Sequence, residues 1–399
     1  MTRFERQNYE RRADDIEATM RLEWLTRHRV MSEVLRELRD STHGGGARPR
    51  HTGPLRRLRR MLGGSTSLDR AGEIAATGSQ EGKVRARGYW EQVWRRFRRD
   101  RVAVASIVFL VLLVIAVYPG AWIAQKLVGH GPNTIFPDAL DDGFNPVGPW
   151  SHVQNFETGK TDILVLGADG TTARDEFLRL LYGGRVSLQV AVISTVLVML
   201  IGVTMGAVAG YYRGWVDTIV ARLTEITMAF PALLFVIALA STAGERLDKI
   251  TLGGLLGEGV VTLVLVFTLF GWFYPARIIR AKVFSLREKE FIEAALMTGA
   301  SDARIIRSHL LPHLVAPIIV YSTLIVATLV LNEAALSFLG VGIRPPTPSW
   351  GNLLSDAPNF YTTVPLLMLW PGIAVVLTTL AFNLLGDGLR DAFDPRSRL

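Results

Sequence analysis

The 399-residue chain is 49% hydrophobic and 20% charged, with 44 Lys and Arg against 36 Asp and Glu for a net charge of +8. It has no cysteine, which excludes disulfides and cysteine-held metals or clusters. With a mean hydropathy of +0.27, this balance suits an all-α, polytopic membrane protein whose charges are kept apart from its spans. The basic excess then reads as topology and contact with anionic lipid rather than nucleic-acid binding.

Segregation follows the chain. Residues 1–85 are expected to form a cytoplasmic extension, in which Ile16, Met20, Trp24, Met31, Val34, Leu35 and Leu38 recur at helical spacing amid charges. That pattern predicts an amphipathic helix between about 10 and 40. Gly44-Gly45-Gly46, Pro49, Pro54 and the Gly/Ser/Thr-rich 63–80 stretch then read as disordered linker. From 86 to 399 the chain reads as a membrane domain, with apolar runs near 102–124, 186–211, 216–240, 257–277, 314–339 and 364–386. Each approaches the roughly 20 residues that cross a bilayer as a helix.

The first run begins too late and is too long for a cleavable signal. Lys83, Arg85, Arg87, Arg95, Arg96, Arg98, Arg99 and Arg101 crowd before it, so the positive-inside rule puts the N-terminus in the cytoplasm. Six crossings return the C-terminus to the same side. Residues 125–178 become an external, turn-rich loop, and 283–312, with Arg287, Lys289, Arg304 and Arg307, a cytoplasmic one.

Within the second span, Gly202, Gly206 and Gly210 form a ladder suited to close helix packing. Arg222 and Glu225 can pair on one face of the third, and Pro231 is expected to bend it. Glu333 in the fifth span is an ionisable group that must pair or face water, in helix packing or along a substrate path. Gly159-Lys160-Thr161 ends like a phosphate loop, but Gln154 stands where glycine is required. His309 and His313 are four apart, yet Pro312 interrupts them and no carboxylate follows the zinc-protease pattern. Neither a metal site nor a catalytic residue is expected.

The 283–312 loop holds the most specific pattern. Glu293-Ala294-Ala295-Leu296-Met297-Thr298-Gly299 favours a helix ended by a tight reversal, Ala300-Ser301 leads on with Ser301 able to cap the next helix, and Leu311-Pro312 marks the return to the membrane. This segment resembles the EAA loop of permease subunits in ATP-binding-cassette importers, where a short coupling helix docks on the ATPase; His309 takes a position that is apolar in the consensus. Leu180-Leu181-Tyr182-Gly183-Gly184-Arg185-Val186-Ser187-Leu188, Ala229-Phe230-Pro231, Leu336-Ser337-Phe338-Leu339-Gly340, Pro345 to Gly351 and Asn383 to Asp391 are similar to the second permease of dipeptide, oligopeptide and nickel importers, in order and spacing, from Trp94 onward. Leu166 to Asp175 departs from that family's pattern.

The resemblance implies the type I ABC importer permease fold in a bacterial inner membrane. It also implies a homologous permease partner, two cytoplasmic ATPases that use ATP and Mg, and an extracytoplasmic substrate-binding protein. This chain would bind no cofactor. Peptides are the substrate class implied first, with nickel chelates, glutathione-like peptides or sugar-derived compounds behind them; a transport-inactive scaffold and a passive channel are the rivals from other classes.

Overall fold

A computed structural model describes residues 89–156, 158–242, 257 and 259–394; the helix expected between 10 and 40 and the linker after it lie outside the described residues. Helix α1 (Tyr89–Arg99) is amphipathic and buries Val93 and Phe97. Trp90 meets the Phe393 ring edge-on, and Arg96 Nη1 donates to the Asp394 carbonyl at 2.6 Å, so the two ends of the described chain lie side by side. Asp100 then caps α2 (Arg101–Val128) by accepting from Val102 N and Ala103 N. A π-helical turn over Ala116–Gly120 contains Pro119, which has no N–H to donate to the preceding turn. Gly129, at φ 90°, ends α2 in the left-handed conformation.

Residues 129–175 form a small folded unit and not a mere turn-rich connector. Strands β1 (Ser151–Asn155) and β2 (Lys160–Leu164) pair antiparallel with His152 opposite Ile163, and β3 (Ala168–Asp169) pairs with β4 (Arg174–Asp175). Phe136, Ala139, Val153, Leu164, Ala168 and Ala173 make its core. Gly159 at φ 68° belongs to the β1–β2 turn, with Lys160 and Thr161 on β2. Because α2 and the next helix continue past the apolar runs, the expected 125–178 loop narrows to 129–175.

Helix α3 (Glu176–Tyr212) is the shaft of the fold. Its glycine ladder packs on α6 (Val260–Arg287): a Cβ on Gly206 would stand 2.5 Å from the Ala276 carbonyl oxygen and one on Gly210 2.8 Å from Val283 Cβ, while one on Gly202 would strike the Pro275 ring. Only glycine lets the two backbones approach this closely.

The third span is bent at Pro231, as expected. It is two helices, α4 (Gly214–Ala229) and α5 (Ala232–Thr242), bent by 73°. Phe230 is extended at φ −85°, ψ 128°, as a residue before proline tends to be, and Pro231 withholds its donor, so the helix breaks there. Among the described residues five helices are long and apolar enough to cross a bilayer, namely α2, α3, α6, α8 (Asp302–Phe338) and α10 (Leu366–Phe393), and the α4–α5 pair makes a sixth if it spans as one unit. Between α6 and α8 lies α7 (Glu290–Met297), and between α8 and α10 lies α9 (Trp350–Asp356), capped by Ser349. The spans expected at 257–277, 314–339 and 364–386 are the apolar parts of helices that run on into charged sequence, as far as Arg287, back to Asp302 and on to Phe393.

Candidate coupling segment and transmembrane cavity

Two residues anchor α7. Ile292 and Ala295 are buried against Ile279 and Val283 of α6 and Ile305, Leu310 and Leu314 of α8. Glu293 and Ala294 face outward, as do Phe291, Leu296 and Met297, the last 91% exposed. Gly299 N donates to Leu296 O and Ala300 N to Ala295 O, the paired bonds of a Schellman ending, and Gly299 takes the φ of 78° that this ending requires.

Ser301 does occupy the N-cap position of the next helix, but its hydroxyl makes no capping bond, contrary to the sequence expectation. The first turn is held otherwise: Ile305 N donates to Ser301 O, and the Asp302 carboxylate accepts from Tyr211 Oη at 2.8 Å, fastening this corner to the end of α3. A π-helical turn over Ile305–Leu310 follows, and Leu311 and Pro312, both exposed, open the regular part of α8. Thus Glu293 through Pro312 are brought together as one corner between two spans. His313 packs on Phe291 at 5.2 Å between ring centres, and among the described residues no three His, Asp or Glu side chains are grouped to hold a metal.

Glu333 lies elsewhere. It is fully buried, accepts from Ser337 Oγ at 2.8 Å, and is hydrogen-bonded to the Ser187 and Ser349 hydroxyls, at the junction of α3, α8 and the start of α9. The nearby cavity of about 680 Å3 between α5, α6 and α8 is lined by Leu233, Phe270, Tyr274, Tyr321, Thr328 and Asn332 among others, but not by Glu333. Its walls are predominantly apolar.

A buried polar network at the other end of α3 escaped the sequence reading, which noted only that Leu166 to Asp175 is unusual. His130 bridges Asp162 (Nδ1 to Oδ2, 3.0 Å) and Asp175 (Nε2 to Oδ2, 2.9 Å). The other Asp175 oxygen caps α3 through Phe177 N and Leu178 N. Arg179 pairs with Asp169 at 2.5 Å and reaches Asn133 and Asn352, which joins the 129–175 unit to α9. Burial raises the Asp169 carboxyl above its usual pKa, against the pull of Arg179, the Thr172 hydroxyl and the Arg174 N–H. Four acidic residues with Arg174 and Arg179 between Asp162 and Arg179 were the available signal, and they are equally compatible with a solvated loop.

Apolar helices of bilayer length around a cavity, with a short helix displayed between two of them, define a membrane permease. The chain belongs to the family described as binding-protein-dependent transport system inner membrane component, whose model matches residues 202–399; residues 88–145 match the N-terminal transmembrane domain of oligopeptide transport permease C. It is 37% identical to the glutathione transport system permease protein GsiD of Pectobacterium atrosepticum, over 77% of this chain and 91% of that protein. It is 34% identical to the dipeptide transport system permease protein DppC of Alkalihalophilus pseudofirmus, over 77% of this chain and 90% of that protein. A chain of the inward-facing MetNI methionine ABC transporter aligns over 54% of this chain and 96% of its own length, with 17% identity and a TM-score of 0.42. This is accordingly a permease subunit of an ABC importer of the peptide and nickel family, the membrane component and not the ATP-hydrolysing one.

Proposed function

We propose that the chain carries short peptides across a bacterial inner membrane, paired with a homologous permease, driven by two cytoplasmic ATPases that use ATP and Mg, and supplied by an extracytoplasmic binding protein. The relatives named for glutathione and dipeptide transport support the substrate class. The observation that carries the mechanism is α7, footed on buried Ile292 and Ala295 while Leu296 and Met297 point outward. A groove on an ATPase would receive that apolar tip. Because the footing is shared by α6 and α8, displacement of α7 on ATPase closure would pass into both spans as a two-state shift. Glu293, Ala294, Ala295, Gly299, Ala300, Ser301, Leu311 and Pro312 are the contact and hinge residues in this reading, and the placement of Glu333 among serines favours helix packing over substrate contact.

Both termini would be cytoplasmic, in keeping with the arginines before α2 and the Arg96–Asp394 contact. The 129–175 unit would then face the binding protein. Purifying the assembled transporter and measuring ATP hydrolysis with binding protein and a dipeptide tests the whole: stimulation is expected, and its absence, or purification without ATPase subunits, overturns the reading. Sidedness has its own check, since the chain is cysteine-free. Cysteines at Ser67 and Ser397 should resist an impermeant thiol reagent in intact cells, while one at Asn145 should react.

A further inference from the structure

The 680 Å3 cavity between α5, α6 and α8 has no Asp, Glu, Lys, Arg or His among the described residues of its wall. Most of that wall is apolar, from side chains such as Leu233, Val236, Phe267 and Phe270, and its few polar groups are uncharged. On α8 they fall in a line. Asn332, Thr328 and Tyr321 are four and seven residues apart, which sets them on one face over about 16 Å of helix, and Tyr274 of α6 joins the same wall. The Thr328 hydroxyl donates to the Leu324 carbonyl at 3.0 Å, which leaves its oxygen able to accept. The Asn332 carboxamide and the Tyr274 and Tyr321 hydroxyls have no hydrogen-bond partner among the described residues. Glu333, next along the chain, is buried among Ser187, Ser337 and Ser349 and does not line the cavity, so the line is separate from that cluster. Asn332 and Thr328 are both exposed, yet they stand inside the apolar run 314–339. Acyl chains would leave such groups unbonded, so the line faces water, a solute or another protein.

We propose that this cavity holds the solute during its passage, and that the line of Asn332, Thr328 and Tyr321 recognises it as a neutral amide carrying an apolar side chain. A carboxamide both donates and accepts, as a peptide group does, so the two can bond reciprocally. Size and lining agree, since small-molecule sites are mostly apolar spaces of about 300–1,000 Å3 with a few placed polar groups. The lack of charge in the wall has a consequence for selectivity. A charged side chain entering here would leave water without a counter-ion, whereas an apolar one gains by burial. The cavity therefore selects against charge on the part of the solute it encloses, and a peptide's charged termini lie outside it. That the solute is a peptide rests on the proposed function; the preference for a neutral amide does not.

The test uses the assembled transporter in nanodiscs, with Thr328→Cys as the sole cysteine in this chain and Ala335→Cys, also in the cavity wall, should the first fail to assemble. Leu331→Cys, exposed on α8 but outside the cavity, is the control. A small water-soluble thiol reagent is applied to the resting complex and during ATP hydrolysis. In one of these states it should modify Thr328→Cys about tenfold faster than Leu331→Cys. N-acetyl-leucinamide should slow that reaction, and the corresponding lysine and glutamate derivatives should not. Asn332→Leu should raise the concentration for half protection about three- to tenfold, as loss of one neutral hydrogen bond does, and Asn332→Gln should restore most of it. No reaction at either cavity position in either state overturns the proposal, because lipid or the partner permease then fills the space. Failure of N-acetyl-leucinamide to protect, equal protection by the charged derivatives, or protection indifferent to Asn332→Leu overturns it as well. Protection by N-acetyl-leucinamide with no effect of dileucine, supplied with the binding protein, on either labelling or ATP hydrolysis leaves the site standing and removes the peptide reading instead.

Discussion

The two ends of α3 are built on opposite principles. At one, the corner from Lys289 to Pro312 rests on a few apolar side chains, one left-handed glycine and the Tyr211–Asp302 hydrogen bond, and Glu293, Leu296 and Met297 of α7 are exposed. At the other, residues 129–175 add to a small apolar core side chains buried in specific polar pairs, His130 with two aspartates and Arg179 with Asp169. A helix of 37 residues separates them, about 55 Å at 1.5 Å per residue. Apolar contact is non-directional, so α7 can shift and stay in contact. A buried ion pair adds little net stability, but breaking it leaves a stranded charge, so such pairs impose a geometry. The contrast suits one end that moves with a partner and one that presents a fixed shape.

The strongest way to break this contrast is to remove one buried charge. Asp175→Ala takes an acceptor from His130 and the cap from α3 together. Breaking a buried pair costs about 3–5 kcal/mol and losing a cap about 1 kcal/mol more. We expect protease sensitivity confined to 129–175 and a lowered melting temperature of the purified complex. A segment as resistant as the wild type would mean that the network does not hold the unit together.

The shaft comes next. Gly206→Leu must push α3 and α6 apart, since even a Cβ would lie 2.5 Å from the Ala276 carbonyl. Overpacking of this kind costs about 1–3 kcal/mol, and both ends of α3 should suffer. Lower assembly yield with reduced ATPase stimulation is expected; an unaffected variant would show that the helices are not closely apposed in the assembled transporter.

What the sequence made legible was periodic or sharply local. The glycine ladder repeats every fourth residue, and Gly299 with Pro312 brackets the corner, so both were readable without coordinates. The magnitude of the Phe230–Pro231 bend was not, because proline states that a donor is missing but not how far the helix turns. The 129–175 unit was read as a loop because its core, Phe136, Val153 and Leu164, is sparse and dispersed between turns. Ser301 was given a capping role on residue type alone, whereas this corner is held by backbone bonds and by Tyr211.

Gly299→Trp sharpens the mobile side of the comparison. Nothing lies within 4 Å of a Cβ there, so the side chain has room and the penalty is the left-handed backbone, about 1–2 kcal/mol. The complex should therefore assemble, while peptide-stimulated ATP hydrolysis falls. Gly299→Asn, which tolerates this conformation better, should recover part of the activity. Equal loss in both variants would point to side-chain contact with the partner and away from backbone strain.

Glu293→Ala should have the smallest effect, although Glu293 is the charged residue of the most recognisable motif. It lies in the first turn of α7, exposed, where a carboxylate favours the helix N-terminus by about 0.3–1 kcal/mol, and an exposed polar contact with a partner adds about 0–1 kcal/mol. Neither can rival the strain at Gly299 or the loss of a buried pair. Assembly should match the wild type, and peptide-stimulated ATP hydrolysis should fall at most a few-fold, with the remaining loss sensitive to salt as a surface interaction should be. If Glu293→Ala abolishes stimulation at any salt concentration while Gly299→Trp does not, this end of α3 is also organised around a charge, and the contrast between the two ends fails.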